Sequence, residues 1–150
     1  MKLRFIWVGK TKDGNWKTLQ AQYLQRLSHF AKCEIAELKD SAAHEGTDKE
    51  GERILASLNQ TTFAVLLDVT GEAISSAGLA EKIEAWQNRG LREVSFIIGG
   101  PNGVSRRVAE MADISLSLSF LTFTHEMARV LLLEQLYRAY TIIKGFPYQK

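Results

Sequence analysis

The stretch Ile97-Ile98-Gly99-Gly100-Pro101-Asn102-Gly103 decides the fold of this chain, because a buried strand (Glu93 to Ile98) ends there in a glycine-rich turn. A second short strand, Ile114 to Leu118, ends in the loop Ser119-Phe120-Leu121-Thr122-Phe123-Thr124. The loops that follow parallel strands meet at one edge of a sheet, where α/β proteins bind their ligands. Two such loops side by side predict a pocket that holds a nucleotide-like cofactor through backbone groups.

Strand and helix patterns alternate along all 150 residues, without repeats. The predicted strands are residues 3–8, 33–38, 63–68, 93–98 and 114–118, with a turn at Val69-Thr70-Gly71. The predicted helices are residues 16–31 (capped by Asn15), 47–58 (with a capping box Thr47-Asp48-Lys49-Glu50), 76–88 (capped by Ser75 or Ser76), 105–112 and 125–144. This alternation predicts a single α/β domain over residues 1–150, with a mostly parallel sheet and helices on both faces.

The composition is that of a soluble globular protein, with 45% hydrophobic and 24% charged residues. No apolar run reaches the roughly 18–20 residues that span a bilayer, so no membrane partner is expected. The single Cys33 fits a reducing cytosol and excludes an internal disulfide. Residues 1–32 carry seven basic groups and one acidic group, whereas residues 33–98 carry six and twelve. Basic ends around an acidic middle are compatible with a nucleic-acid partner, although solvated surface lysines explain them equally well.

The last predicted helix is apolar around nearly its whole circumference, which is typical of a helix buried on all sides. A terminal helix in so small a domain reaches that burial most simply by packing on the sheet and against a second subunit, so we expect a homodimer. Arg129 falls in the first turn of this helix, beside the Ser119–Thr124 loop. We therefore expect Arg129 to face a ligand.

The glycine turn matches neither the G-x-G-x-x-G dinucleotide fingerprint nor a phosphate-binding P-loop. A cofactor without phosphate groups would explain both the glycines and the missing phosphate-binding motif; a ligand-free strand-to-helix turn is the alternative. The three histidines, His29, His44 and His125, show no metal-ligand spacing, so no metal is expected. His125 begins the last helix beside the predicted pocket, where capping or packing is a simpler role than catalysis.

Several motifs together resemble one family, the ribosomal RNA large subunit methyltransferase H group of the SPOUT methyltransferases. The resemblance covers essentially the whole chain. It rests on Glu50-Gly51-x-Arg53-Ile54-Leu55, Ile98-Gly99-Gly100-x-x-Gly103, Leu116-Ser117-Leu118-Ser119-x-x-Thr122-Phe123-x-His125, Arg129-Val130-Leu131 and Glu134-Gln135-Leu136-Tyr137-Arg138-Ala139.

The resemblance implies a fold whose C-terminal segment threads through a loop to form a trefoil knot, a rare exception to the rule against threading. It implies a cytoplasmic homodimer that methylates N3 of a pseudouridine in the helix 69 loop of 23S rRNA, on the assembled ribosome. The methyl donor is S-adenosylmethionine, with no metal. The residues implied around this cofactor are Leu67, Gly99, Gly100, Gly103, Leu118, Ser119, Phe120, Leu121, Thr122 and Phe123. The catalytic candidates are Arg129, Tyr148 and Lys150.

The chain departs from the family pattern at two positions. Gln149 stands where the family usually has histidine, and glutamine is no base near neutral pH. Thr124 stands where proline is usual, which predicts a looser entry into the last helix. Two further functions therefore stay open: a related knotted tRNA methyltransferase, and a ribosome-binding module with impaired catalysis. A dinucleotide oxidoreductase is the least favoured, because the fingerprint and its ribose-binding acid are absent.

Overall fold

A computed structural model describes residues 1–42 and 45–148 of the chain. Within these residues, five strands alternate with five helices. The strands are β1 (Lys2–Val8), β2 (Cys33–Leu38), β3 (Phe63–Ala73), β4 (Glu93–Ile98) and β5 (Ile114–Ser117). The helices are α1 (Gly14–Ser28), α2 (Gly46–Ser57), α3 (Ser76–Asn88), α4 (Arg106–Met111) and α5 (His125–Ile143).

The five strands form one sheet in the order β2-β1-β4-β3-β5, and every neighbouring pair is parallel. Strand β4 lies in the middle and all six of its residues are buried, as its mostly apolar sequence predicts for a parallel strand covered on both faces. Helices α1, α3 and α5 pack on one face, and α2 and α4 on the other. The predicted α/β architecture is confirmed.

Helix α5 lies across the sheet between α1 and α3. Its sheet-facing residues are fully buried: Leu132, Leu133, Leu136, Ala139 and Tyr140. Further apolar residues of the same helix, Leu131, Tyr137, Ile142 and Ile143, are only half-buried in the single chain. The sheet and the two flanking helices thus bury only part of the apolar surface of α5. A second subunit that covers the rest stays a prediction.

Strand β3 does not end at Asp68, and the predicted turn at Val69-Thr70-Gly71 was wrong. The strand continues to Ala73, but its pairing with β5 shifts between Leu67 and Glu72, which both lie opposite Leu116. Asp68 shapes the intervening bulge, because its Oδ1 accepts hydrogen bonds from the backbone N and the hydroxyl of Thr70 (2.8 and 2.6 Å). Residues 69–71, which were predicted to form a turn, do interrupt the regular pairing of β3 with β5. The pairing of the two strands resumes beyond them.

Two predicted helix caps were wrong. Asp13, not Asn15, caps α1 by accepting hydrogen bonds from the backbone N of Asn15 and Trp16. Helix α2 starts one residue before Thr47 and has no side-chain cap. The capping box fails because Glu50 turns away from its own helix end and accepts a hydrogen bond from the glycine turn.

The caps of α3 and α5 rest on hydroxyls. Ser75 accepts a hydrogen bond from the backbone N of Gly78, and Thr124 accepts one from the backbone N of Met127 at 3.3 Å. Thr124 therefore holds the entry to α5 rather than loosening it, because a threonine side chain satisfies one of the unpaired N–H groups of a helix start.

The knot implied by the resemblance stays a prediction. No helix in the described part of the chain has the length and hydropathy to cross a membrane.

One buried carboxylate makes stability depend on pH. Burial alone would raise the pKa of Glu93, but hydrogen bonds from Asn59 (2.9 Å) and the ammonium of Lys2 outweigh it and hold the pKa below its usual range. A lowered folded-state pKa stabilises the protein above the unfolded-state pKa, and that stability is lost as the pH falls. We expect Glu93→Gln to lower the free energy of unfolding by on the order of 2 kcal/mol at pH 7 and by clearly less at pH 4.

Urea unfolding of both proteins at the two pH values measures this difference. Glu81→Gln, on the exposed side of α3, is the matched control and should change neither value. Equal losses for Glu93→Gln at both pH values would contradict the assigned cause.

Candidate cofactor and active site

A cavity of about 270 Å³ opens at the carboxyl ends of β3, β4 and β5. We call it the glycine-turn cavity. Nine of the ten predicted cofactor residues line it: Leu67, Gly99, Gly100, Gly103, Leu118, Ser119, Leu121, Thr122 and Phe123. It lies at the edge where parallel sheets bind ligands. The structure thus brings together residues from three separate strand ends, as the sequence predicted.

The glycine turn has close backbone contacts and a backbone conformation that residues with a Cβ would not fit. The backbone N of Gly103 donates to the carbonyl of Gly100 at 3.1 Å, and Gly103 has a φ of 78°, which favours glycine. A Cβ at Gly99 would lie 2.6 Å from Val104 Cγ1. The backbone N of Gly100 donates to Glu50 Oε1 at 3.0 Å, and this carboxylate residue is only 7% exposed. Helix α2 therefore holds the turn through Glu50, a role that the sequence did not predict.

The loop after β5 uses its hydroxyls to hold its own shape. Ser117 Oγ donates to the carbonyl of Ser119 at 2.9 Å, and Ser119 Oγ accepts from the backbone N of Leu121 at 3.0 Å. This tight turn points Phe120 outward: it is 88% exposed and does not line the cavity. Phe120 is thus the one predicted cofactor residue that the structure places elsewhere, because the turn separates its side chain from those of its neighbours.

A second cavity of about 440 Å³ adjoins the first and shares Leu67, Leu118, Ser119 and Phe123 with it. Its remaining wall comes from β4, β5, the start of α3 and the middle of α5, including Ser76 and Gln135. Ser76 Oγ donates to Gln135 Oε1 at 2.6 Å and so links the two helices there. No local motif marks this cavity, since residues 59 positions apart form its wall.

Arg129 does not face either cavity, contrary to the prediction. Its side chain is 0% exposed and lies over the ring of Trp7, 5.2 Å from the ring centroid. Its guanidinium donates to the carbonyl of Val8 (2.5 Å) and to Thr11 Oγ1 (3.0 Å). The side chain therefore ties the first turn of α5 to the end of β1. The sequence placed its backbone correctly, but helix periodicity did not reveal which way the side chain turns.

Tyr148 follows the end of α5 and packs back against the second half of that helix. Its hydroxyl donates to Glu134 Oε1 at 3.1 Å, its ring meets Tyr137 edge-on, and the Arg138 guanidinium lies over the ring. Burial, helped by hydrogen bonding with Tyr23 and the charge of Glu134, raises the pKa of Tyr148 to about 12. The phenol is therefore neutral near neutral pH and is suited to stacking or hydrogen bonding, not to accepting a proton.

Tyr148 does not line the glycine-turn cavity of its own chain. Glu134 lies six residues beyond Ala128, which lines the glycine-turn cavity, and six residues of helix span about 9 Å. Tyr148, one of the predicted catalytic residues, therefore lies away from the glycine-turn cavity of its own chain. Gln149 and Lys150 lie outside the described residues.

The chemistry of the glycine-turn cavity suits a phosphate-free cofactor. Its titratable lining residues are Asp68 and His125, and no lysine or arginine of the described chain lines it. Backbone groups and apolar side chains supply the rest of the wall. Residues 1–42 and 45–148 contain no cluster of three or more histidine, cysteine, aspartate or glutamate side chains that could hold a metal ion.

An α/β sheet with a glycine turn and a cavity at the carboxyl ends of its strands is compatible with a methyltransferase, and residues 1–149 match the family model described as a predicted SPOUT methyltransferase. Three relatives match over 100% of both chains, and each is named "Ribosomal RNA large subunit methyltransferase H". They come from Desulfotalea psychrophila (46% identical), Acetivibrio thermocellus (40%) and Halothermothrix orenii (38%). The chain belongs to this family of SPOUT methyltransferases.

A solved structure supports the fold independently of close sequence similarity. A probable methylase family protein from Haemophilus influenzae superposes with a TM-score of 0.59 at 12% identity, over 99% of this chain and 70% of that one. At so low an identity the likeness concerns the fold alone. It agrees with the α/β architecture described above.

Proposed function

We propose that this protein is an S-adenosylmethionine-dependent methyltransferase of large-subunit ribosomal RNA, acting in the cytoplasm as a homodimer of single domains spanning residues 1–150. The proposed target is N3 of a pseudouridine in the helix 69 loop of 23S rRNA, on the assembled ribosome. The observation that carries the proposal is the convergence of nine predicted cofactor residues from three strand ends on one cavity, whose described lining holds no lysine or arginine. The full-length likeness to relatives named as ribosomal RNA methyltransferases supports the substrate class.

The cofactor supplies an activated methyl group, and the chain supplies positioning. The glycine turn and the Leu118–Phe123 loop offer backbone donors and acceptors at close range, and Leu67, Leu121 and Phe123 offer apolar contact. Holding two reactants in line removes much of the entropic barrier to transfer. In this proposal Arg129 is a positioning residue, since its buried guanidinium holds the first turn of α5 against β1.

The homodimer accounts for two features that one chain leaves unexplained. The first is the half-buried apolar side of α5, with Phe146 exposed beside it. The second is Tyr148, which binds Glu134 on its own α5 and does not line the glycine-turn cavity of its own chain. We propose that Tyr148 and Lys150 serve the cavity of the partner subunit, with Tyr148 stacking or hydrogen bonding and Lys150 meeting phosphate or the developing anion.

Incubation with labelled S-adenosylmethionine and ribosomes lacking the modification tests the activity. We expect label in 23S rRNA, at a pseudouridine of the helix 69 loop. Label in tRNA instead would support the related tRNA enzyme, and ribosome binding without cofactor binding in calorimetry would support an inactive module. Either result would overturn the proposal. Sedimentation equilibrium tests the dimer, for which a monomer at micromolar concentration is the contradicting outcome.

We expect Gly100→Ala to weaken cofactor binding about tenfold. A Cβ at this position would lie 2.8 Å from Glu50 Oε2, so the carboxylate must move and the turn loses the hydrogen bond at Gly100 N. Loss of one such bond and a small shift of the turn correspond to about 1.4 kcal/mol. Calorimetric titration with S-adenosylmethionine measures the change. Gly14→Ala is the control, because a Cβ there would meet nothing within 4 Å, and its affinity should equal that of the wild type.

A further inference from the structure

The mouth of the glycine-turn cavity carries exposed apolar side chains. Phe120 and Leu121 are the two most exposed large apolar residues in the described part of the chain, and Val69 is 52% exposed. Leu121 and Val69 also line the cavity, so they form part of its mouth, and Phe120 directly precedes Leu121. We call Val69, Phe120 and Leu121 the apolar rim. Clustered apolar exposure beside a cavity is typical of a surface that binds a partner.

Hydrogen bonds hold the apolar rim in place before any partner binds. Ser119 accepts hydrogen bonds from Ser117 before it and from the backbone N of Leu121 after it, so the backbone on both sides of Phe120 is fixed. Val69 lies in the β3 bulge, which has hydrogen bonds of its own. A preformed aromatic surface binds a ligand at a low cost in conformational entropy, because it has little freedom left to lose.

Positive charges lie at the same end of the molecule as the apolar rim. The loop after β1 carries the exposed Lys10 and Lys12, and the loops after parallel strands share one edge of the sheet. The backbone N of Lys12 donates to Glu126 Oε1, which ties this loop to the first turn of α5, directly after the rim. An aromatic surface beside cations is typical of proteins that bind single-stranded nucleic acid, because bases stack on the ring and phosphates pair with the cations.

We propose that the apolar rim is the docking surface for unpaired bases of the RNA substrate. The target base lies at the mouth of the cavity against Val69 and Leu121, and a neighbouring base of the same RNA loop stacks on Phe120. Lys10 and Lys12 contact the phosphates. The inference rests on the proposed function, because it states how the RNA of that reaction reaches the methyl donor.

The apolar rim gives the target base access to the space that holds the proposed cofactor. Val69 and Leu121 belong to the same lining as Gly99 and Leu118, so a base at the rim enters this cavity and not a neighbouring one. Methyl transfer needs both reactants in one connected space, in line with each other. RNA loops present unpaired bases that splay out and stack on aromatic side chains. Phe120 is absent from the cavity lining because, in this proposal, it serves the other substrate.

A second copy of the chain is the competing partner for the apolar rim. Most of the half-buried apolar side of α5 lies in its last two turns, at Tyr137, Ile142 and Ile143. The rim precedes the first turn of α5, and a helix of 19 residues spans about 28 Å. The rim is therefore a surface separate from that end of the helix. The lysines beside it favour RNA over another copy of a chain that itself has a net positive charge.

The first test compares Phe120→Ala, Phe120→Leu and Phe120→Trp on ribosomes that lack the modification. We expect kcat/KM for ribosomes to fall about tenfold in Phe120→Ala and at least about fivefold in Phe120→Leu, because neither residue offers a ring for stacking. Phe120→Trp should stay within about twofold of the wild type. Met111→Ala, exposed at the end of α4, is the control and should match the wild type.

Calorimetry with the product S-adenosylhomocysteine and sedimentation equilibrium separate the possible roles of Phe120. We expect cofactor-product affinity within about twofold of the wild type and an unchanged oligomeric state in all three variants. Weakened S-adenosylhomocysteine binding would return Phe120 to the cofactor, and dissociation of the oligomer would show that a second copy covers the rim. Either result would overturn the proposal, as would wild-type kcat/KM in Phe120→Ala or in Phe120→Leu.

The second test measures the salt dependence of ribosome binding in the presence of S-adenosylhomocysteine, without methyl transfer. Lys10→Ala and Lys12→Ala should each lower the slope of log affinity against log salt concentration by about one, since each removes one phosphate contact. Lys32→Ala is the charge-matched control, because this exposed lysine precedes β2 at the opposite edge of the sheet. Unchanged slopes in both Lys10→Ala and Lys12→Ala would overturn the placement of the RNA backbone.

Failure of this inference is distinguishable from failure of the proposed function. If the wild type transfers no methyl group to 23S rRNA, the function itself fails. If the wild type is active and the Phe120 and lysine variants behave like it, only the present inference fails. The exposed position of Phe120 makes a folding defect in Phe120→Ala unexpected, and thermal unfolding checks this. Should that variant not fold, Phe120→Leu and the two lysine variants still decide.

Discussion

Gly71→Ala is expected to destabilise the protein by about 3 kcal/mol and to lower its melting temperature by roughly 10 °C. A Cβ at Gly71 would lie 2.7 Å from the carbonyl carbons of Ser115 and Leu116. These are backbone atoms of a paired strand, so no side-chain rotation relieves the contact. The β3–β5 seam must separate, and that seam supports Leu67 and Leu118 in the wall of the glycine-turn cavity.

Thermal unfolding followed by circular dichroism measures this effect, at one protein concentration for all variants. Gly78→Ala is the matched control, because a Cβ there would meet nothing closer than 3.4 Å and the residue lies inside α3. There we expect a stabilisation of about 0.5–1 kcal/mol, since alanine favours helix more than glycine. A Gly71→Ala protein as stable as the wild type would show that the close pairing across the bulge is wrong.

Arg129→Ala is expected to cost about 3 kcal/mol in the free energy of unfolding, because it removes the donors to Val8 O and Thr11 Oγ1 and leaves a void over the ring of Trp7. Losing partners of buried polar groups and creating a core void each destabilise a protein by kilocalories. Burial of the charged guanidinium is itself unfavourable and lowers the pKa of Arg129. Removing this unfavourable burial offsets only part of the loss in stability.

Urea unfolding measures the change, and Arg106→Ala, whose side chain is 90% exposed, should stay within about 0.5 kcal/mol of the wild type. Arg129→Lys should fall between the wild type and Arg129→Ala, because one ammonium cannot reproduce the planar fork. If Arg129→Ala were fully stable but inactive with unchanged cofactor affinity, the arginine would act directly on the substrate. That outcome would restore the role predicted from the sequence.

The order of elements and most of the residues that line the glycine-turn cavity were predictable from the sequence. Strand β4 is a mostly apolar run before two glycines, and such a run is typical of a strand inside a parallel sheet. The loops after β4 and β5 therefore had to share an edge, and nine of ten predicted residues meet there. The shared edge follows from local patterns, which parallel pairing brings together in a known way, whereas the ten individual residues were implied by the family resemblance.

The failures concern side-chain direction and contacts between distant segments. Phe120 leaves the cavity because Ser119 closes a tight turn, and Arg129 turns to β1 because acceptors lie there. Glu50 does not cap its own helix but accepts a hydrogen bond from the backbone N of Gly100, 50 residues away. The last two outcomes depend on a partner far along the chain, and no periodicity records such a partner.

The sequence alone determined the class of fold, the edge that carries the site and the absence of a phosphate-binding motif, because these follow from hydrophobic periodicity and local turn chemistry. Only the tertiary structure decided that β3 bulges and re-pairs with β5 and that Arg129 is buried. Those features arise when hydrogen-bonding groups from separate segments must satisfy one another in a water-free interior, and that requirement is met only after the chain has folded.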